Sequence, residues 1–336
     1  MASPQTIARL VESCLKENPC GIEVRYNEPM ADHCTFKTGG PADCYIKPFG
    51  EGFAEFVTAL LGAARAEGIK VFILGGGANI LVADAGIRGI VLDSGGWAGD
   101  EELEETTLRF RSGTSLDDAA MTAAKAGLCG LEFLAGMPGS IGGAVWMNAR
   151  CYGREIADVL LETEIIDFSL SPPKILRPPV AVNRSEFGYK RSPFQGRDVF
   201  ILSAAFQLSP GNTEQILARM DANRRDREEK GHYRFPSAGS VFKNNPDFGK
   251  PTGKIIDELG LRGLQIGGAR IADWHGNFII NTGKATAKDI RALTEEAAER
   301  VKQATGFILE PEILFVGEWD LYFPSPQPLD PGPEIR

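Results

Sequence analysis

Histidine is nearly missing from this 336-residue chain, which has three, and its six cysteines (14, 20, 34, 44, 129 and 151) form no CxxC pair. No metal-ligand spacing results, so no metal is expected, and a disulfide scaffold is not expected in a chain this long. Apolar runs stay short of the roughly eighteen residues from which a membrane helix is read. The N-terminal stretch MASPQTIARLVESCLKENP carries charges inside its apolar part, unlike a signal peptide. Basic residues are also in deficit: 36 Lys and Arg stand against 45 Asp and Glu, a net charge of -9. That balance excludes the basic footprint of a nucleic-acid-binding protein, yet local cations can still hold a phosphate within it. The one dense charge run, Arg224–Lys230 (RRDREEK), mixes signs and reads as a solvated helix face. The expectation is a cytoplasmic protein that meets neither nucleic acid nor membrane and needs no obligate protein partner.

What the chain does have is an alternation of helix and strand signals, pointing to a mixed α/β or α+β protein. Helices are expected over 4–17, over 52–67 with Gly68 as the stop, from a Ser115 cap onward (SLDDAAMTAAKAG), over 213–230, near 254–260, and from Thr286 to Gly306. Strands are expected over Cys44–Lys47, Val71–Leu74, Ile90–Leu92, 158–168, 199–207 and Asn277–Asn281, with an acidic hairpin near 100–106 and a Pro-rich connector at 171–179. The tail PSPQPLDPGPEIR reads as disordered.

Three glycine clusters interrupt this pattern. The first, Gly75-Gly76-Gly77-Ala78-Asn79-Ile80, follows a buried strand directly. Consecutive glycines permit positive φ and let backbone N–H groups approach a pyrophosphate, although a tight turn alone would also explain them. The cluster matches neither G-x-x-x-x-G-K-[ST] nor G-x-G-x-x-G, which disfavours a nucleoside triphosphatase and a doubly wound dinucleotide fold. The second cluster, GMPGSIGGAVWMNARCYG over Gly136–Gly153, is denser. Each ordered glycine there gives up roughly 0.5–1 kcal/mol relative to alanine, so room for a planar or anionic ligand is the better reading. The third, QIGGA over Gln265–Ala269, fits an ordinary strand turn. His275 has no carboxylate or nucleophile spaced with it and reads as a structural residue.

Taken in order, TFKTGGPA (35–42), GGGANIL, GMPGSIGGAVWMNA, FGYKRSPF (187–194), GSVFKN (239–244), RGLQIGGA (262–269) and LEPEILFVG (309–317) resemble the UDP-N-acetylenolpyruvoylglucosamine reductase family. The resemblance spans residues 35 to 317 and implies an α+β fold. It comprises a two-lobed FAD-binding domain of the vanillyl-alcohol-oxidase type and a smaller α+β substrate-binding domain. The expected boundaries are a helical lead-in over 1–30, the FAD-binding domain over 31–208 (lobes about 31–93 and 94–208), the substrate domain over 209–322 and the tail over 323–336. The family has longer and shorter members. This chain resembles the shorter type, which lacks an inserted loop carrying a substrate-binding tyrosine.

The resemblance also implies a reaction: NADPH reduces non-covalently bound FAD, which then passes hydride to the enolpyruvyl methylene of a UDP-sugar in peptidoglycan precursor synthesis. The cofactor supplies the hydride, while the protein supplies orientation, charge stabilisation and a proton. On the matching positions, Ser240 is the proton donor, Glu312 the carboxylate of LEPE with Glu310 as competitor, and Lys190 the cation. Lys190 departs from the family's usual arginine after the tyrosine, a point charge replacing a planar fork. A change of register would substitute Arg191; neighbours in an extended segment face opposite ways, so one of the two serves, and Lys190 is preferred. A glutamate beside a developing carboxylate-enolate requires protonation or a bridging cation.

Cofactor contacts are carried onto Gly75, Gly76, Gly77, Ala78, Asn79, Ile80, Gly136, Pro138, Gly139, Ser140, Gly142, Gly143 and Ala144, and substrate contacts onto Tyr189, Asn244 and Gln265. Ala78 replaces a common serine and Arg150 a common glycine. Competing readings are another FAD oxidoreductase of the same fold and a flavin-binding scaffold whose catalysis has lapsed.

Overall fold

A computed structural model describes residues 3–104, 106–176 and 179–319, without the side chains of 100–104. The expected tail at 323–336 lies outside the described residues. Helix α1 (Pro4–Glu17) starts where the Ser3 side chain accepts from the Thr6 N–H. Strands β1 (Gly21–Pro29) and β2 (Pro41–Phe49) form an antiparallel pair, followed by α2 (Phe53–Ala66), β3 (Val71–Leu74), β4 (Ile80–Val82) and β5 (Ile87–Asp93). The first sheet has the order β1-β2-β5-β3, with β5 parallel to both neighbours. Both of its faces are covered, as expected of strands paired in parallel. Cys44, Ile46, Ile90 and Leu92 pack under α1 and α2, whereas Tyr45 and Val91 face a second core.

The second sheet is antiparallel and six-stranded, built from β6 (Asp100–Glu104), β7 (Thr107–Arg111), Leu160–Asp167, Val199–Gln207 and two short edge pieces. Helices α3 (Leu116–Lys125), α4 (Ile141–Met147) and α5 (Thr213–Glu229) contribute apolar residues to its core. Ile216 and Met220 bury α5 in that core, so this helix joins the second sheet before the chain moves on.

The remaining segment carries α6 (Thr252–Glu258), a three-stranded antiparallel sheet (Gln265–Ile266, Ala269–Ile271, Ile279–Asn281) and α7 (Ala287–Thr305). Thr286 and Asp289 close a capping box on α7, and Gly306 ends it at φ +77°. The last strand, Leu314–Val316, lies parallel to β4, far back in sequence. Its return draws Val241, Phe242, Leu309 and Ile313 into one core with Tyr45, Leu74 and Val82.

Periodicity located most of the longer elements within about three residues of their bounds; several shorter ones were missed, three of them for a plain physical reason. Strand β1 has an exposed stretch at 25–27 and lacks clean alternation. Helix α4 is seven residues long and carries two glycines, a poor helix signal. The strand Leu314–Val316 is defined only by its distant partner.

Candidate active site

A cavity of about 2020 Å³ runs between the two sheets and the C-terminal segment. It is lined by both glycine-rich loops, by Tyr189 and Lys190, and by Ser240, Asn244 and Glu312. Of the site residues expected from the sequence, Gln265 is the one outside it. Exposed on its short strand, Gln265 donates from its amide to the Gly267 carbonyl at 2.9 Å.

The first loop joins β3 to β4. A Cβ on Gly76 would stand 2.6 Å from the Gly139 Cα, and one on Gly77 would stand 1.9 Å from the His33 carbonyl oxygen. These glycines therefore answer to neighbouring backbone rather than to a ligand's bulk. Both readings of this cluster share one cause: two loops approach so closely that side chains are excluded.

In the second loop, residues 141–147 coil into α4, capped by Ser140, whose hydroxyl accepts from the Gly143 N–H at 3.4 Å. The helix ends at Asn148, which adopts φ +46° and is fully buried. The Asn148 amide donates to the Gly188 carbonyl at 2.8 Å, tying this loop to the segment that carries Lys190.

That segment is a tight turn, not the extended stretch expected. Gly188 and Arg191 exchange backbone hydrogen bonds at 3.0 and 3.1 Å, and Lys190 sits inside the turn at φ +56°. The Lys190 carbonyl accepts from Gln195 Nε2 at 3.1 Å, and the same nitrogen reaches the Trp146 carbonyl at 3.1 Å. A non-glycine residue in this region costs of order 1–3 kcal/mol and persists only where the surroundings over-determine it. Here they direct the ammonium into the cavity, where Lys190 Nζ lies 2.6 Å from Glu312 Oε1. Both side chains are nearly covered, at 14% and 12% exposed. Arg191 is exposed and does not line the cavity.

Ser240 is held by its neighbours' backbones. It bridges to Phe278, and Val241 donates to the Asn277 carbonyl at 2.9 Å. The Asn277 side chain closes on both backbone groups of Phe242, at 2.9 and 2.8 Å. On the other side, the Glu312 N–H donates to the Val241 carbonyl at 2.7 Å, so serine and glutamate ride on adjacent, cross-linked strands. Among the described residues no side-chain hydrogen bond engages the Ser240 hydroxyl. Glu310 faces elsewhere, paired with Lys243 at the surface. Tyr189 stands at the mouth, its hydroxyl accepting from the Asn244 N–H at 3.3 Å and its ring facing Arg150 at 5.8 Å.

One functional candidate escaped the sequence reading. Arg227, inside the mixed run taken as a solvated face, is only 7% exposed and lines the cavity. Its Nε donates to the Tyr233 hydroxyl at 3.3 Å, which in turn donates to the Gly136 carbonyl at 2.6 Å. No carboxylate pairs with this guanidinium among the described residues. A buried cation left without a carboxylate is costly unless an anionic or electron-rich ligand completes it. Across the cavity wall, eight Lys and Arg residues face four Asp and Glu in a chain whose net charge is -9. Those cations, with the paired loops, fit a dianionic nucleotide cofactor.

Neither His232 nor His275 is placed as a charged catalytic group. Burial lowers the His232 pKa to about 4, with Arg227 and His275 adding repulsion, so its ring is neutral near pH 7. His275 accepts from the Asn277 N–H at 3.1 Å, stacks on Phe278 and stays out of the cavity, which agrees with a structural role.

Two lobes offering glycine-rich turns to one shared cavity, with no helix-borne dinucleotide fingerprint, define an FAD-binding fold of the vanillyl-alcohol-oxidase class. A family model described as an FAD binding domain matches residues 54–169. A second, described as the C-terminal domain of UDP-N-acetylenolpyruvoylglucosamine reductase, matches residues 231–316. The chain is 39% identical over 319 residues to a UDP-N-acetylenolpyruvoylglucosamine reductase of Treponema denticola, covering 88% of this chain and 94% of that one. It is 41% identical over 288 residues to the enzyme of that name from Borreliella burgdorferi, covering 86% and 93%. The crystal structure of UDP-N-acetylenolpyruvylglucosamine reductase from Thermus caldophilus superposes with a TM-score of 0.69 at 32% identity, over 88% of this chain and 99% of that one. This chain belongs to the UDP-N-acetylenolpyruvoylglucosamine reductase family.

Proposed function

We propose that the protein reduces UDP-N-acetylglucosamine enolpyruvate to UDP-N-acetylmuramate, with NADPH as the electron source, for peptidoglycan precursor synthesis in the cytoplasm. Bound FAD supplies the hydride chemistry that links NADPH to the enolpyruvyl carbon. The backbones of Gly75–Ala78, Gly136–Ser140 and Gly142–Ala144 would hold it, with Arg227 as a buried counter-charge.

The chain's own residues then have three tasks. Lys190 holds the substrate carboxylate as negative charge spreads onto it. Glu312 keeps that ammonium in place, and the ammonium answers the repulsion that a lone glutamate would bring to an enolate. Ser240 Oγ gives its proton to the carbon beside the carboxylate. A serine hydroxyl is a weak acid, but a carbanion-like partner is a strong base, and the neighbouring ammonium favours the alkoxide left behind.

Tyr189 and Asn244 stand at the end of the cavity where a UDP-sugar would enter; the placement of Gln265 gives no support to a substrate contact. We read residues 31–93 and 94–208 as the flavin lobes and 209–322 as the substrate unit, with α5 as the joint between them. The substrate is a small molecule, and neither nucleic acid nor membrane has a role. Among the described residues no helix is long and apolar enough to cross a membrane.

The observation that carries this reading is the Lys190–Glu312 contact in the cavity that Ser240 also lines, its hydroxyl without a side-chain hydrogen bond among the described residues. The test is Ser240→Ala. Flavin reduction by NADPH should persist while reoxidation by the enolpyruvyl substrate falls by about 10²–10⁴-fold, the usual weight of a positioned proton donor. Unchanged turnover would overturn the assignment, and a purified protein that takes up no FAD would overturn the whole reading.

A further inference from the structure

Asn79 ends the first glycine-rich loop, where a contact to the flavin is the natural expectation. Its side chain is occupied elsewhere: Nδ2 donates to the main-chain carbonyl of Glu312 at 3.0 Å. Its own carbonyl accepts from the Leu314 N–H at 3.0 Å. One residue thus grips the chain on both sides of Ile313.

The second contact belongs to the parallel pairing that starts at Ile80 and Leu314 and would survive any side chain at 79. The first lies beyond that ladder, where only the asparagine amide reaches. Asn79 is itself a fixed post, because the preceding loop is wedged: Gly76 lies against Gly139, Gly77 lies against His33, and the Thr35 N–H donates to the Gly77 carbonyl at 3.0 Å.

We infer that Asn79 is a positioning residue for Glu312, setting the place of the Lys190–Glu312 pair relative to the flavin loop. This rests on the role proposed above for that pair. Glu312 is otherwise tethered through its N–H to Val241, which aligns it with Ser240. The Asn79 amide adds the second tether and links the flavin side of the cavity to the substrate side. Losing it leaves the Glu312 carbonyl short of a donor and lets the carboxylate drift, and a displacement near 1 Å at a reacting centre can cost about 10²-fold.

The experiment compares Asn79→Ala, Glu312→Gln and the double variant in the FAD-loaded enzyme. Three quantities are read: FAD affinity by flavin fluorescence, flavin reduction by NADPH, and reoxidation by the enolpyruvyl substrate. Asn79→Ala should leave the first two near wild type and slow the third by about 10–10²-fold. In the Glu312→Gln background the same change should add little, since both act through one carboxylate.

Loss of FAD affinity, an equal slowing of flavin reduction, wild-type reoxidation, or losses that multiply in the double variant would each overturn the inference. Should Asn79→Ala fail to fold, Asn79→Asp, which keeps the shape and removes the donor, is held to the same outcomes. A wild-type enzyme without substrate-dependent NADPH oxidation would instead sink the reductase reading, which separates the two failures.

Discussion

Two lysine–glutamate pairs flank the same short stretch of chain, and they differ in the exposure of the glutamate and in whether they line the cavity. Lys190 and Glu312 meet at 2.6 Å inside the cavity, at 14% and 12% exposed. Lys243 and Glu310 meet outside it, where the lysine is 19% exposed and the glutamate 56%. Glu310 and Glu312 are two residues apart, and Lys243 is three residues from Ser240. Local chemistry therefore does not distinguish the pairs; depth does. An ion pair with one partner open to water contributes about 0–1 kcal/mol, because solvent already screens the charges. A covered pair holds its charges in a low-dielectric wall, where they act strongly on any ligand that enters.

The largest expected effect is on the covered pair. Lys190→Ala should slow reoxidation by the enolpyruvyl substrate by about 10²–10³-fold in stopped-flow turnover, the scale for removing one preorganised electrostatic contact. Flavin reduction by NADPH should change far less. A loss under about fivefold would erase the difference drawn between the two pairs.

A sharper, intermediate comparison is Lys190→Arg against Arg191→Ala. The arginine variant keeps the charge on the same turn and should retain activity within about tenfold, while the fork's geometry shifts the substrate KM. Arg191→Ala should leave kcat and KM within a few-fold, because that side chain faces solvent. A larger effect from Arg191 than from Lys190 would show that the turn re-forms when substrate binds.

The smallest effect belongs to the outer pair. Lys243→Ala and Glu310→Gln should each change the unfolding free energy by no more than about 1 kcal/mol in urea titrations, with turnover near wild type. A strong kinetic effect there would move the catalytic carboxylate from Glu312 to Glu310.

Legibility in the sequence followed the range of the physics. The α7 capping box, the Gly306 stop, the Ser115 cap and the short apolar runs of β2 and β5 are local, and they were readable without partners. The segment carrying Lys190 was expected to be extended and is a turn: nothing local announces that Lys190 will adopt a left-handed backbone. Arg227 was hidden because a mixed-sign run looks the same whichever member turns inward; its burial is decided by Tyr233 and the second glycine-rich loop. Gln265 illustrates the opposite error, a polar residue in a matching motif whose amide is spent on its own turn.

By itself, then, the sequence determined the longer helices, the principal strands, two glycine-rich loops and the family, because these depend on periodicity, capping and ordered motifs. Only the tertiary structure decided which lysine and which glutamate face each other, that Arg227 is an interior cation, and that Asn79 reaches Glu312. The placing of Glu312 turns on the return of the strand Leu314–Val316 to β4, a contact across more than two hundred residues. Such a pairing is set by the packing of a shared core, and no window of neighbouring residues contains it.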